Sequence, residues 1–194
     1  MSRRVLLSTL LGFALAAGCA APPSPIAFED QGKPKILRCT LRPSAQYLKS
    51  ANDLAYPATV RAGSPAEVRM YSQQRVDLNL NKIDYQMFPA SNPLSANPQD
   101  FMKKFFVNTP EELGLDRLAA ARRSNIQNGM AEIGMTKEEA YATLGPPLTV
   151  DFGIDATNLT YETIMDRNRW VYGEGLFGSR IFMFNDNKLT QIIP

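Results

Sequence analysis

A short helix with both of its ends encoded in the sequence most constrains how this chain can fold. Residues 134–147 read Gly-Met-Thr-Lys-Glu-Glu-Ala-Tyr-Ala-Thr-Leu-Gly-Pro-Pro. Thr136 and Glu139 have the spacing of a capping box, Gly145 suits the turn that ends a helix, and the prolines that follow prevent its continuation. Three residues between these ends form one apolar face: Ala140, Tyr141 and Leu144. Because about three turns of helix are not stable alone, this face must pack against another part of the chain.

The same stretch resembles the repeat unit of the SmpA/OmlA (BamE-like) family of bacterial envelope lipoproteins. The resemblance rests on Gly-Met-Thr-Lys-Glu-Glu, then Leu-Gly-Pro-Pro, then a Trp-x-Tyr strand and a closing strand pair, over roughly the last third to two fifths of the chain. It implies a C-terminal domain of two helices and three strands, similar to half of the beta-lactamase inhibitor protein. The residues that match the family motif have an implied structural role: Gly134, Met135, Thr136, Glu139, Leu144, Gly145, Pro146, Trp170 and Tyr172.

Residues 1–18 have the layout of an export signal, with two arginines before an apolar run that is too short to span a bilayer. The ending Leu-Ala-Ala-Gly-Cys resembles a lipobox, in which Cys19 receives a diacylglycerol and starts the mature chain. The alternative is an ordinary signal cleaved after an Ala-x-Ala-like site, with Cys19 incidental. Ala20 follows instead of Asp, which by resemblance to enteric lipoprotein sorting implies an outer-membrane protein facing the periplasm.

The charge balance argues against nucleic acid as a partner. Removal of residues 1–18 lowers the number of basic side chains from 21 to 19, which equals the 19 acidic ones. A nucleic-acid-binding protein would carry a basic excess on one face. We therefore expect the membrane, through lipidated Cys19, and an envelope protein as partners.

The residue types needed for common catalytic and metal sites are scarce. The chain has no histidine, so Ser–His and Cys–His pairs are excluded and zinc loses a common ligand. Once Cys19 is lipidated, Cys39 is a lone thiol that we expect in a buried strand; without the lipid, a Cys19–Cys39 bridge becomes possible. Four acidic residues follow the helix without the spacing of a calcium loop: Asp151, Asp155, Glu162 and Asp166. We therefore expect no enzymatic activity, cofactor or metal.

The sequence before the helix predicts a tether and a small β domain. Residues 19–34 contain several prolines and read as an extended tether. Residues 35–89 alternate apolar and polar side chains in five short segments, which predicts five strands. These strands fit either a small barrel, of the SH3-like kind, or a meander that packs on the C-terminal part. The segments expected as strands are Ile36–Leu41, Ala58–Arg61, Glu67–Tyr71, Arg75–Leu80 and Asp84–Phe88.

Residues 90–108 are predicted to link this β domain to the family-like domain, residues 109–194. Within the linker, Asp100–Val107 is amphipathic and rich in aromatic residues, so it either joins the two domains or lies at a membrane interface. Thr109 and Glu112 predict the start of a first helix, with Gly114 bending it. Strands are expected after Pro147, with Asn185–Asn187 forming the last hairpin turn. The fold class is therefore α+β.

These features favour a lipid-anchored, non-enzymatic scaffold or accessory protein, and the resemblance implies a role in outer-membrane β-barrel assembly. The alternative is an envelope ligand binder or enzyme inhibitor, similar to the beta-lactamase inhibitor protein. Aromatic side chains exposed on the C-terminal sheet would favour the alternative: Trp170, Tyr172 and Phe182.

Overall fold

Two β-sheets and four α-helices make up the fold of the described residues, which are 24–174 and 178–194 of a computed structural model. The predicted α+β class is confirmed. Along these residues, no helix combines the length and the apolar character that crossing a membrane requires. The signal sequence and Cys19 lie outside the described residues.

The first sheet has six strands in the order β2-β5-β4-β3-β1-β6. Its strands are β1 (Pro34–Leu37), β2 (Tyr47–Lys49), β3 (Pro65–Tyr71), β4 (Val76–Leu80), β5 (Ile83–Phe88) and β6 (Phe106–Val107). Adjacent strands are antiparallel except β2, which runs parallel to β5. Strands β3 to β5 form the predicted hairpins, since the alternating pattern buries one face of each.

The sheet differs from the prediction in several places. Strand β1 ends at Leu37, whereas the predicted strand ran from Ile36 to Leu41, and β6 lies in the predicted linker. Residues 58–61 form only an isolated bridge, between Val60 and Leu41, and the short strand β2 was not predicted. In the described part of the chain, β2 and β6 are the outer strands of an open sheet. Strands β3, β4 and β5 follow one another as a meander, so the sheet differs from a closed barrel.

The described part of the predicted tether lies along β3. The Ile26 N–H donates to the Tyr71 carbonyl (2.7 Å), and the Gly32 N–H donates to the Val68 carbonyl (2.9 Å). The Phe28 ring packs edge-on against Tyr71, with centroids 6.1 Å apart. Apolar residues among the prolines thus attach this segment to the sheet, in contrast to the free tether predicted for it.

The segment 90–108, predicted as a linker, contains helix α1 (Pro98–Phe105) and β6. The Asn97 side chain caps α1, and Pro98 occupies its first turn. Phe101 and Phe105 are buried, and Phe101 lies 5.3 Å from Tyr71 between ring centroids. Because Lys104 O in the same helix accepts from the Tyr141 hydroxyl (3.2 Å), the segment contacts both parts of the chain, which was one of its two predicted roles.

The first predicted helix of the C-terminal part is broken into three pieces. Two 3-10 turns, Pro110–Leu113 and Leu115–Arg117, precede helix α2 (Ala120–Gln127). Gly114 separates the turns with a φ of 64°, in agreement with the predicted bend. The predicted cap at Thr109 is wrong, because its side chain makes no capping bond.

The second sheet has five strands in the order β11-β10-β9-β7-β8. After helix α3 (Lys137–Leu144), the elements are β7 (Thr149–Val150), β8 (Ile154–Asp155), α4 (Tyr161–Met165), β9 (Arg169–Glu174), β10 (Gly178–Asn185) and β11 (Lys188–Ile193). The family resemblance implied three strands, and residues 154–165 add β8 and α4 to that arrangement. Asp186 and Asn187 have positive φ angles of 47° and 62°, as the predicted hairpin turn requires.

One continuous cluster of buried side chains joins the two sheets. Between them, the Thr40 N–H donates to Ala142 O (2.8 Å) and the Leu54 N–H donates to Gly173 O (2.8 Å). We call this contact zone, formed by residues 39–54 on one side and residues 142–146 and 173 on the other, the joint. The helix that begins at Lys137 thus ends in the joint.

Candidate functional site

The start of the family-like motif is fixed to the last strand. The Thr136 hydroxyl accepts from the Glu139 N–H (3.1 Å), and the Glu139 carboxylate accepts from the Thr136 N–H (2.7 Å), which is the predicted capping box. Gly134 and Met135 bond to β11, the Gly134 N–H donating to Leu189 O (2.8 Å) and the Leu189 N–H donating to Met135 O (2.8 Å). The motif therefore sets where α3 begins relative to the second sheet.

The end of the motif lies in the joint. The Gly145 N–H donates to Tyr141 O (2.7 Å), and the Asn52 N–H donates to Pro146 O (3.2 Å). The Asn52 side chain donates to Leu144 O (2.5 Å) and to Thr40 O (2.8 Å). Leu144 is itself buried. This half of the motif thus connects the second sheet to the first.

Trp170 and Tyr172 are fully buried on the inner face of the second sheet. The Trp170 indole donates to Ile164 O (3.2 Å), and the Tyr172 hydroxyl donates to Gly145 O (2.7 Å). Burial raises the pKa of Tyr172 well above its ordinary value. Both aromatic residues therefore belong to the core, and Phe182 is buried with them. Trp170 and Tyr172 are therefore not accessible to a partner in this conformation.

The four acidic residues singled out in the sequence do not meet in one site. Asp151 pairs with Arg167 (3.2 Å), and Glu162 lies 3.8 Å from Lys103. Asp155 accepts from the Ser91 hydroxyl (2.5 Å), among other donors. Burial would raise the pKa of Asp155, but its hydrogen bonds outweigh this effect and lower the pKa. In the described ranges, no cluster of three or more Cys, Asp or Glu residues is arranged to hold a metal.

Two buried groups, Cys39 and Lys104, have shifted pKa values but do not form a catalytic site. Burial raises the pKa of Cys39 to about 12, so its sulfur stays a thiol; the residue is buried as predicted, although it lies just after β1. Lys104 is buried beside α4 and donates to Thr157 O (2.5 Å). Its burial lowers its pKa to about 8, against the opposing effect of Asp100 and Asp155. Both groups are enclosed by packing, which suits a structural role.

An exposed aromatic patch lies at the edge of the first sheet where β2 and β5 end. We define the aromatic patch as Tyr47, Tyr56 and Phe88, which are 56%, 38% and 37% exposed. The Tyr47 and Phe88 rings lie 6.0 Å apart between centroids. The patch borders a cavity of about 180 Å³ that Arg42 and Lys49 also line. Exposed aromatic groups beside cations are typical of binding surfaces.

The aromatic patch has no signal in the local sequence. Phe88 was assigned to a strand, but Tyr47 lies in a strand of three residues, which is too short for a period of two to be visible. Parallel pairing places Tyr47 opposite Gln86 and Lys49 opposite Phe88. That pairing, which no local pattern encodes, brings the two rings together.

A larger groove of about 700 Å³ lies beside the joint. Arg42 donates to Tyr56 O (2.6 Å) and Gly129 O (2.8 Å), and Arg180 forms an ion pair with Glu174. Burial, followed by the nearby charge of Arg180, lowers the pKa of Arg42. The remaining lining contains polar side chains, Asn128 and Glu174, as well as apolar ones such as Leu54, Met130 and Ile192. The groove thus combines two guanidinium groups and the Glu174 carboxylate with apolar side chains.

Comparisons with protein-family models, with curated proteins and with solved structures found no match for this chain.

Proposed function

We propose that the protein is an outer-membrane lipoprotein, anchored by acylated Cys19 and facing the periplasm, that acts as a non-enzymatic scaffold or accessory factor. The observation that carries the proposal is the ending Leu-Ala-Ala-Gly-Cys directly after a basic start and a short apolar run. Lipid on that cysteine would contribute ~0.8 kcal/mol per buried methylene, and three acyl chains would hold the protein firmly at the bilayer.

The folded part suits a protein that is held at a surface and contacts another protein. Its motif residues connect the two sheets into one core, which leaves the exposed surface available to a partner. The aromatic patch and the groove are surfaces of the kind that partners occupy. By the family resemblance, the partner is the machinery that assembles outer-membrane β-barrel proteins.

The test is crosslinking and affinity purification of the intact protein from envelope membranes, in parallel with Cys19→Ala. We expect barrel-assembly components to co-purify with the wild type and to decrease when the lipid is lost. Mass spectrometry of the N-terminal peptide checks the acylation directly. A protein that carries no acyl chain, or that remains soluble in both forms, would refute the proposal.

A second candidate function is ligand binding or enzyme inhibition in the envelope. The groove beside the joint favours it, because a ligand there would contact Arg42, the Arg180–Glu174 ion pair and apolar side chains. The buried positions of Trp170, Tyr172 and Phe182 remove the exposed aromatic face that would have favoured an inhibitor. Purification of the protein with a stably associated periplasmic enzyme, and without assembly components, would support this alternative.

A further inference from the structure

We infer that the solvent-facing side of the first sheet carries a binding site for a neutral saccharide. Three residues form this site, which we call the amide–tyrosine site: Gln46, Tyr47 and Gln86. Such a ligand is additional to the protein partner proposed above, and its binding does not depend on the acylation of Cys19.

Strand pairing brings the site together on one face of the sheet. Tyr47 of β2 pairs with Gln86 of β5, and Gln86 pairs with Asp77 of β4. Residues that pair across strands project to the same face, with adjacent strands about 4.8 Å apart. The next residues along β4 and β5, Leu78 and Met87, are buried, so Asp77 and Gln86 project from the opposite, solvent-facing side. Tyr47 therefore stands beside Gln86 on the open face.

A tight turn fixes the aromatic end of the site. The Tyr47 N–H donates to Ser44 O (3.0 Å), and the Ser44 N–H donates to Tyr47 O (2.9 Å). The Gln86 N–H donates to Gln46 O (2.9 Å), which ties the turn to β5. The side chains of the site thus extend from a fixed backbone. Because both backbone polar groups of Tyr47 are already paired, an extended peptide cannot add to β2 through this residue.

The charged side chains beside the site are paired with one another. The site borders a depression of about 500 Å³, a volume in the range of small-molecule sites. Around it, Arg69 forms an ion pair with Asp84 (2.8 Å), and Arg75 forms one with Asp77 (3.0 Å). An ionic ligand would have to compete with these pairs. The depression therefore favours a neutral ligand.

The groups that remain for a ligand are neutral and can both donate and accept hydrogen bonds. Within the described part of the chain, the side-chain amides of Gln46 and Gln86 and the Tyr47 hydroxyl have no protein partner. An amide offers two donors and one acceptor, and a hydroxyl offers both functions, which complements the hydroxyl groups of a sugar. The Tyr47 ring is 56% exposed and provides an apolar surface for the C–H face of a sugar ring. Together, the ring and the amides fit a saccharide.

The experiment is an NMR titration of the full-length, nitrogen-15-labelled protein in micelles of a sugar-free detergent. The probes are chitotetraose and maltotetraose, which are neutral oligosaccharides with and without acetamido groups. We expect at least one of them to shift the side-chain amide resonances of Gln46 and Gln86 in a saturable manner. The side-chain amide of Gln191, which is exposed on the second sheet, should not shift.

Variants test which side chains bind the sugar. We expect Gln86→Leu and Tyr47→Ala each to weaken the affinity about tenfold, because one loses hydrogen bonds and the other loses the ring. Tyr47→Phe keeps the ring and should bind more tightly than Tyr47→Ala. Gln191→Leu and Phe152→Ala are the matched controls, since they remove an exposed amide and a ring that is 99% exposed from the second sheet. Both controls should bind like the wild type.

The inference is overturned if neither sugar produces a saturable shift, or if the controls lose as much affinity as the site variants. If neither sugar binds and Tyr47→Ala instead abolishes co-purification of barrel-assembly components, the surface belongs to a protein partner and the saccharide site is wrong. Mass spectrometry of Cys19 and co-purification with the wild type involve no sugar. The lipoprotein proposal can therefore fail while the saccharide site stands, and the reverse.

Discussion

At the scale of single residues, Gly145 is the position where the joint tolerates least change. Its φ of 73° and ψ of −164° belong to a region that is essentially restricted to glycine. A Cβ there would collide with the Asn52 amide nitrogen and lie 3.5 Å from the Cys39 sulfur. We expect Gly145→Ala to lower the free energy of unfolding by about 3 kcal/mol, measured by urea denaturation. Gly32→Ala is the control, since Gly32 has a φ of 74° and no atom within 4 Å of a Cβ. An equal loss in both variants would show that backbone strain alone, and not crowding in the joint, is responsible.

Lys104 should make stability depend on pH. Its folded-state pKa of about 8 lies below its ordinary value of 10.5, so the unfolded chain binds more protons between these values. The free energy of unfolding should therefore rise with pH through this window, by up to about 1.4 kcal/mol per unit of pKa difference. Lys104→Met removes this contribution. We expect the stability of the variant relative to the wild type to fall as the pH increases from 8 to 10.5. Parallel stability–pH curves would contradict a lowered pKa at Lys104.

At the scale of elements, helix starts that look alike in sequence differ in the structure. Thr136 and Glu139 form a complete capping box, whereas Thr109 makes no capping bond with its side chain. We expect Thr136→Ala to lower the free energy of unfolding by about 1 kcal/mol and Thr109→Ala to change it by less than about 0.5 kcal/mol. Thermal and urea denaturation of both variants checks this difference. Equal losses of unfolding free energy in the two variants would mean that the capping box at Thr136 does not stabilise the protein.

The contrast between these helix starts shows which elements a sequence can predict. Elements that carry their own signals, such as α3 and the β10–β11 hairpin, were predicted because caps and turn residues act within a few positions. Strand β2 depends on a distant contact, because it pairs with β5. Helix α4 has a local cap at Thr160, but it is held in place by distant contacts of Tyr161 with Tyr141 and Arg38. The aromatic patch depends on the same long-range pairing. Local sequence patterns do not encode this pairing.

At the scale of the whole molecule, the contacts in the joint indicate that the predicted β domain and the family-like domain unfold as one unit. The Asn52 amide group donates to carbonyls on both sides of the joint, Thr40 O and Leu144 O, and is 4% exposed. Its removal leaves two buried acceptors without a donor, at a cost of roughly 1–3 kcal/mol each. The two sheets also share one core, so neither can lose its packing without exposing apolar surface of the other.

We therefore expect Asn52→Leu to lower the free energy of unfolding by about 2–4 kcal/mol and to shift the entire transition. Trp170 fluorescence, which reports the second sheet, and far-UV circular dichroism, which reports both sheets, should give coincident urea transitions in the wild type and in the variant. Asn79→Leu is the matched control, because the Asn79 side chain donates only within its own hairpin, to Asp84 (2.5 Å). Two separate transitions, with the fluorescence transition unmoved by Asn52→Leu, would show that the chain has two independent domains as its sequence suggested. A single urea transition, shifted by Asn52→Leu for both probes, would instead show that the joint couples the two sheets. The joint can do so because it connects the short motif helix to both sheets.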